Sequence, residues 1–129
     1  MQSSKMKTFV LLFITSLFCF CTLGCYKQKT ILPTVTTSDI TYITATTADG
    51  GGTVINNGIE TILTRGVCWG INHNPTISDS TNYEATHIGF FYSGLKYLQP
   101  STKYYVRAFA SNSAGIAYGD EKSFVTLAH

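Results

Sequence analysis

Two packed β-sheets, built from about seven short antiparallel strands, are what this sequence predicts. Three observations predict it. Residues 98–110 open on a proline turn and run into strict alternation, with Tyr104, Val106, Ala108 and Ala110 on one face. That period of two is the mark of a strand with one buried side. Threonine, tyrosine, valine and isoleucine recur between Pro33 and Leu127, cut at short intervals by glycine and asparagine, so strand formers are punctuated by turn formers. No stretch after the N-terminal apolar run carries a helical period.

The strand at 104–110 sets the frame for the others. Pro100 fixes its own φ and lacks an N–H, which suits the corner before a strand and not its middle. Tyr104 stands where its ring fills the core while its hydroxyl reaches back to backbone of the preceding turn, the tyrosine corner of sandwich domains.

From the N-terminus, Lys5 and Lys7 precede an apolar run from Thr8 to Leu23. The run is short for a spanning helix and reads as a signal peptide over residues 1–24. Residues 25–32 form a tether, reaching roughly 25 Å at ~3.3–3.6 Å per residue, and residues 33–127 form the domain.

Within the domain, 33–37 reads as an edge strand with Pro33 at its start. Residues 40–47, rich in β-branched side chains, read as the second strand. Asp49-Gly50-Gly51-Gly52 reads as a bulge or bend, after which Thr53-Val54-Ile55 resumes the pattern up to a turn at Asn56-Asn57-Gly58. No lysine of a phosphate-binding loop and no helix follow these glycines, so they form no phosphate cradle.

Residues 60–70 read as a strand with Val67 and Trp69 inward. Arg65 shares that face and is expected at the strand's end, its guanidinium in water and its stem packed below. The polar stretch 71–82 reads as a loop crossing between sheets. Its Asn, Asp and hydroxyl groups serve turns, since the spacing and acidity of a calcium loop are missing. Residues 87–95 form a strand with Phe91 and Leu95 inward, together with Leu98, and with Phe90 and Tyr92 on the other face. After a turn at 112–115, residues 116–127 supply the closing strand.

Function classes narrow quickly. Nine Lys and Arg against seven Asp and Glu give a net charge of +2. No basic cluster lies beside the aromatic residues, so no nucleic-acid partner is expected. Removing the leader takes Cys19 and Cys21 with it. Cys68 is then the one cysteine inside the domain, a small strand residue and not half of an intrachain disulfide. His73, His87 and His129 are dispersed, and His87 with Ser80 and Asp79 lacks a nucleophile elbow or oxyanion context. No catalytic residue, metal site or cofactor is expected.

A binding hypothesis has one motivating feature. With Tyr104, Val106, Ala108 and Ala110 buried, Tyr105, Arg107 and Phe109 project outward from the same strand, and Tyr118 on the last strand extends the row. Tyr, Arg and Phe are enriched at interface cores, and aromatic rings also stack on sugars. These four residues are the candidate binding face for a protein or carbohydrate partner. Cross-strand pairing that stiffens the sheet accounts for the same row without a ligand.

Two resemblances add to this reading. Thr22-Leu23-Gly24-Cys25 resembles the lipobox of bacterial lipoproteins, with Thr22 where leucine is usual and Leu23 where a small residue is usual. It implies a lipidated Cys25 and attachment to a membrane in the bacterial cell envelope, at the outer membrane. Tyr26, Lys27 and Lys29 supply none of the acidic residues that favour surface display in Bacteroidetes-type lipoproteins. The second resemblance rests on Arg65-Gly66-Val67-Cys68-Trp69, Asn74-Pro75-Thr76, Leu98-x-Pro100-x-Thr102-x-Tyr104-Tyr105-Val106-Arg107-Ala108 and Asn112-Ser113-Ala114-Gly115-x-x-Tyr118-Gly119. This set is similar to the fibronectin type III-like modules of Bacteroidetes envelope proteins. It implies an immunoglobulin-like sandwich and a non-catalytic role, either binding or as a spacer in a multi-module lipoprotein.

Overall fold

The computed structural model describes residues 30–129; the expected leader and the lipidation site Cys25 lie outside the described residues. Eight strands follow in order: β1 (Thr34–Thr37), β2 (Ala48–Asn56), β3 (Thr64–Gly70), β4 (Ser80–Glu84), β5 (Gly89–Leu95), β6 (Lys103–Asn112), β7 (Gly115–Tyr118) and β8 (Lys122–Val125). Every pairing between them is antiparallel. One sheet runs β1-β2-β5. The other runs β4-β3-β6, and β7 and β8 share the far edge of β6. β7 pairs residues 109–112 and β8 pairs residues 103–106, so together they act as one closing strand with a break.

The core lies between the sheets and is filled by alternate side chains. Val54, Val67, Leu95, Val106, Ala108 and Ala110 are fully buried, and Trp69, Phe91, Tyr104 and Phe124 are nearly so. The Tyr104 and Phe124 rings stack at 5.7 Å. The Tyr104 hydroxyl accepts the Gln99 N–H at 2.8 Å, which forms the expected corner. Phe91, Leu95 and Leu98 face inward while Phe90 and Tyr92 face solvent, as the alternation predicts.

Several elements differ from the sequence reading. Residues 40–47 form no strand beyond a single bridge from Thr41 to Asp49. There the Thr44 hydroxyl accepts the N–H groups of Thr46 and Thr47, so threonine side chains compete with a ladder for the backbone. The glycine run is not a break but the middle of β2, paired without interruption to β5. A Cβ on Gly52 would lie 2.5 Å from the Thr36 carbonyl oxygen and 2.6 Å from the Ala108 Cβ. Glycine is required where the two sheets come this close.

The closing strand breaks at 119–121 for a similar reason. Gly119 abuts β1, where a Cβ would sit 2.6 Å from the Thr37 hydroxyl oxygen. That hydroxyl accepts the Ala108 N–H at 3.0 Å, and the Ala108 carbonyl takes the Gly119 N–H at 2.8 Å. Both the N–H and the C=O of Ala108 are therefore satisfied in the gap between β7 and β8, while β3 pairs along the other edge.

The polar stretch 71–82 ends early, at Asp79, because residues 80–84 are β4. Since β3 and β4 pair, the loop joins neighbours in one sheet, and the crossing between sheets is made by residues 85–88. β4 is polar on both faces, so no periodicity announces it.

Candidate functional site

Cross-strand pairing arranges the outer face of the β4-β3-β6 sheet. Phe109 pairs with Gly66, Arg107 with Cys68 and Tyr105 with Gly70, while Tyr118 on β7 pairs with Phe109. The structure therefore brings Tyr105, Arg107, Phe109 and Tyr118 together as neighbours. Glycines opposite two of the aromatic residues leave room for a ring to lie across β3. The Phe109 ring does so, close to where a Cβ on Gly66 would stand.

The expectation that Phe109 stands outward in solvent is corrected. Its exposure is 0%, because the Tyr83 ring meets it edge-on at 5.5 Å and Tyr118 covers it at 6.5 Å. Residues 71–79 fold back over the rest of the face. Pro75 is fully buried there, and its carbonyl accepts from Arg107 Nε at 2.9 Å and Nη2 at 2.7 Å. The guanidinium also lies 4.1 Å from the Tyr118 ring centroid, and the Tyr118 hydroxyl accepts the Ile77 N–H at 3.2 Å. Tyr105 packs against the His73 ring at 4.1 Å. Arg107, expected as an outward contact, holds this chain's own loop.

The loop is fastened at its tip by Glu121, whose carboxylate accepts the Asn74 N–H and contacts His73 Nδ1 at 2.9 Å. The bond from the Asn74 amide, then that from His73, hold the Glu121 carboxyl below its usual range. Asp79 closes the loop's base by accepting the Thr76 N–H at 2.9 Å, the turn role expected for it. Beneath the loop, Cys68 is fully buried, with its thiol directed at the Pro75 and Arg107 carbonyls. Burial pushes this thiol up to about 11, far from a nucleophile's range.

Arg65 also departs from expectation. It is 5% exposed, not solvated. Its Nη1 donates to the His87 carbonyl of the crossing and the Gly89 carbonyl at the start of β5, its guanidinium lies 4.9 Å from the Phe91 ring centroid, and its Nε has no partner. Desolvation lowers its pKa. Alternation along β3 forces this side chain inward, and the His87 and Gly89 carbonyls satisfy it there. The sequence could not show this, because residues 85–88 carry no signal for their placement over β3.

Among the described residues no three His, Cys, Asp or Glu side chains gather as a metal site, and no helix is long and apolar enough to cross a membrane. The surface that sequence reasoning did not use lies elsewhere. Among the described residues, the exposed tyrosine and phenylalanine rings Tyr83, Phe90, Tyr92 and Tyr97 fall on β4, β5 or just after β5, and Tyr42 lies apart. Alternation did place Phe90 and Tyr92 on the outer face, but β4 as their neighbour was invisible.

A three-stranded and a four-stranded antiparallel sheet, the latter with its closing strand broken, joined through a tyrosine corner, define a fibronectin type III-like, immunoglobulin-like sandwich. Solved structures agree. The sensor domain of the anti-sigma factor RsgI4 from Pseudobacteroides cellulosolvens is similar over 75% of this chain and 96% of its own, with a TM-score of 0.57 at 21% identity. The FN1–FN3 domains of chicken CNTN1 are similar over 77% of this chain and 33% of theirs, with a TM-score of 0.58 at 16% identity. The fibronectin type-III domain of human fibronectin type III domain containing protein 3 covers 82% of this chain and 94% of its own, at a TM-score of 0.52 and 17% identity. No protein-family model matches the sequence, and no curated protein does.

Proposed function

We propose that this chain is a non-catalytic binding module of the bacterial envelope, held to the outer membrane by lipid on Cys25 and engaging a protein or glycan through its sandwich domain. One observation carries the reading. Exposed aromatic side chains are concentrated along β4 and β5, with Tyr83, Phe90, Tyr92 and Tyr97 at 60%, 68%, 56% and 93% exposure. Tyr83 and Tyr92 border one open cavity between these two edge strands, and exposed rings beside a cavity are a feature of interaction sites, for which a pure spacer has no need. The buried Cys68 thiol and the loop over it give no support to covalent catalysis.

Support for the anchor comes from the lipobox-like Thr22-Leu23-Gly24-Cys25. The Arg107 face contributes through the loop it holds, since the guanidinium donors facing Pro75 are already engaged.

Palmitate labelling in a bacterial host tests the anchor. Label is expected on the natural chain and lost in Cys25→Ser; label that persists in the variant removes Cys25 as the site. Pull-down with the natural chain against envelope proteins and glycans tests binding. Retention of nothing from either pool would leave the spacer role as the better reading.

A further inference from the structure

Tyr92 does not stand up from its sheet. It pairs with Gly51, which has no side chain, and its ring lies along its own strand towards Gly94. A Cβ built on Gly94 would be 3.2 Å from the Tyr92 hydroxyl oxygen and 3.8 Å from Cζ. Asp49 is the cross-strand partner of Gly94, and its Oδ1 accepts the Tyr92 hydroxyl at 2.7 Å. That bond is the main cause of a raised Tyr92 pKa. Two glycines and one carboxylate thus hold the ring down along its strand, with more than half of the residue open to solvent.

This ring borders an open cavity of about 380 Å³ between the edge strands β4 and β5, whose walls include Asn82, Glu84 and Lys96. A second open cavity, of about 510 Å³, continues past the end of β5 and is walled by Lys96, Tyr97 and Gln99 among others. Lys96 contributes to both walls, so the two cavities adjoin at this residue and are taken together as the candidate trough. Tyr97 follows Tyr92 by five positions, a span of up to ~17 Å at the rise of a strand. Tyr97 is held at φ +60° in the left-handed region that a tyrosine adopts only under constraint, and its side chain is almost wholly in solvent.

The Asn82 amide N–H donates to the Gly94 carbonyl and Glu84 Oε1 accepts the Ser93 hydroxyl, which leaves Asn82 Oδ1 and Glu84 Oε2 to a ligand. We infer that this trough binds a neutral polysaccharide chain, with Tyr92 and Tyr97 stacking on sugar rings and Lys96, Gln99 and those two oxygens bonding to hydroxyl groups. The inference rests on the binding reading above and names its ligand class and site. The chemistry favours this class on three grounds. A flat, pre-set ring matches the C–H face of a pyranose and loses little freedom on binding. The charged and amide groups interleaved with the rings suit a ligand rich in hydroxyls; the core of a protein interface is depleted of charge. Asp49 and Glu84 outnumber Lys96, which disfavours phosphate or uronate chains.

The test is affinity electrophoresis of the full natural chain through gels containing mixed-linkage β-glucan, xyloglucan, galactomannan, dextran or polygalacturonate. Retardation by at least one of the four neutral polymers, exceeding that by polygalacturonate, is expected. Tyr92→Ala and Tyr97→Ala should each weaken it about tenfold, and Tyr92→Phe less, because the ring remains and only its bond to Asp49 goes. Gly94→Val, which displaces the ring without removing it, should weaken binding as Tyr92→Ala does, and circular dichroism checks that each variant stays folded. Ile59→Ala, in the exposed turn after β2 and outside both cavity walls, should bind as the natural chain does.

If a neutral polymer binds but the Tyr92→Ala, Tyr97→Ala double variant still holds it, or Ile59→Ala loses it, the site is overturned while the binding reading stands. Retardation by none of the neutral polymers overturns the ligand class, and with it the inference. In that case capture of a defined envelope protein would keep the binding reading, and capture of nothing would end both.

Discussion

Replacing Arg107 by alanine should free the loop at 71–79 and uncover Cys68. The side chain makes two charged hydrogen bonds to the carbonyl of the buried Pro75, at 2.9 and 2.7 Å, and lies over the Tyr118 ring. Hydrogen bonds to a charged group contribute about 1.5–3 kcal/mol, and a partly exposed cation over a ring about 0.5–1 kcal/mol. Arg107 is half-buried, so the lower part of the range applies, and a loss of about 2 kcal/mol is expected. If that loss falls mainly on local opening, the open population rises roughly 30-fold, since each 1.4 kcal/mol is tenfold. The assay is the rate at which a thiol reagent labels Cys68 under native conditions, followed beside urea unfolding. Arg107→Lys should recover little, because a single ammonium cannot reproduce the guanidinium fork at one carbonyl. A labelling rate and an unfolding midpoint both unchanged in Arg107→Ala would refute the clamp.

Three further outcomes are expected. Tyr104→Phe keeps the packed ring but strands the Gln99 N–H; it should cost about 1–3 kcal/mol, and at ~4–8 °C per kcal/mol should lower Tm in a thermal scan. Gly52→Ala inserts a methyl group against the Thr36 carbonyl and the Ala108 Cβ, neither of which can swing aside; a loss of about 1–3 kcal/mol or more is expected in urea unfolding, whereas an unperturbed midpoint would deny the close approach of the sheets. The loop should also respond to pH. Glu121 has a lowered pKa, so its contribution is present above the ordinary carboxylate range and is lost as pH falls through its folded value; hydrogen exchange at the Asn74 amide should quicken there, and Glu121→Gln should remove that acid step. Cys68 acts in the opposite range. Its raised pKa means stability declines as pH rises from its ordinary 9.0 to about 11, a decline that Cys68→Ala should abolish in alkaline unfolding.

By itself the sequence determined the all-β class, the tyrosine corner and the inward set Val67, Trp69, Phe91, Leu95, Val106 and Ala108. A half-buried strand writes its orientation into every second residue, so these features are local. Tertiary structure alone decided the rest. Strand β4 is polar on both faces and exists because β3 offers it a ladder. The glycines of β2 resemble a break until Ala108 of the opposite sheet is seen against Gly52. Arg65 is buried by segment 85–89 and Phe109 by the Tyr83 and Tyr118 rings of flanking strands, and neither covering has a periodic signature. The candidate face was legible as a set of neighbours, since alternation puts Tyr105, Arg107 and Phe109 on one side of β6. What covers it, and which aromatic rings are left in solvent along β4 and β5, depends on how distant segments pack, and no pattern of period two records that.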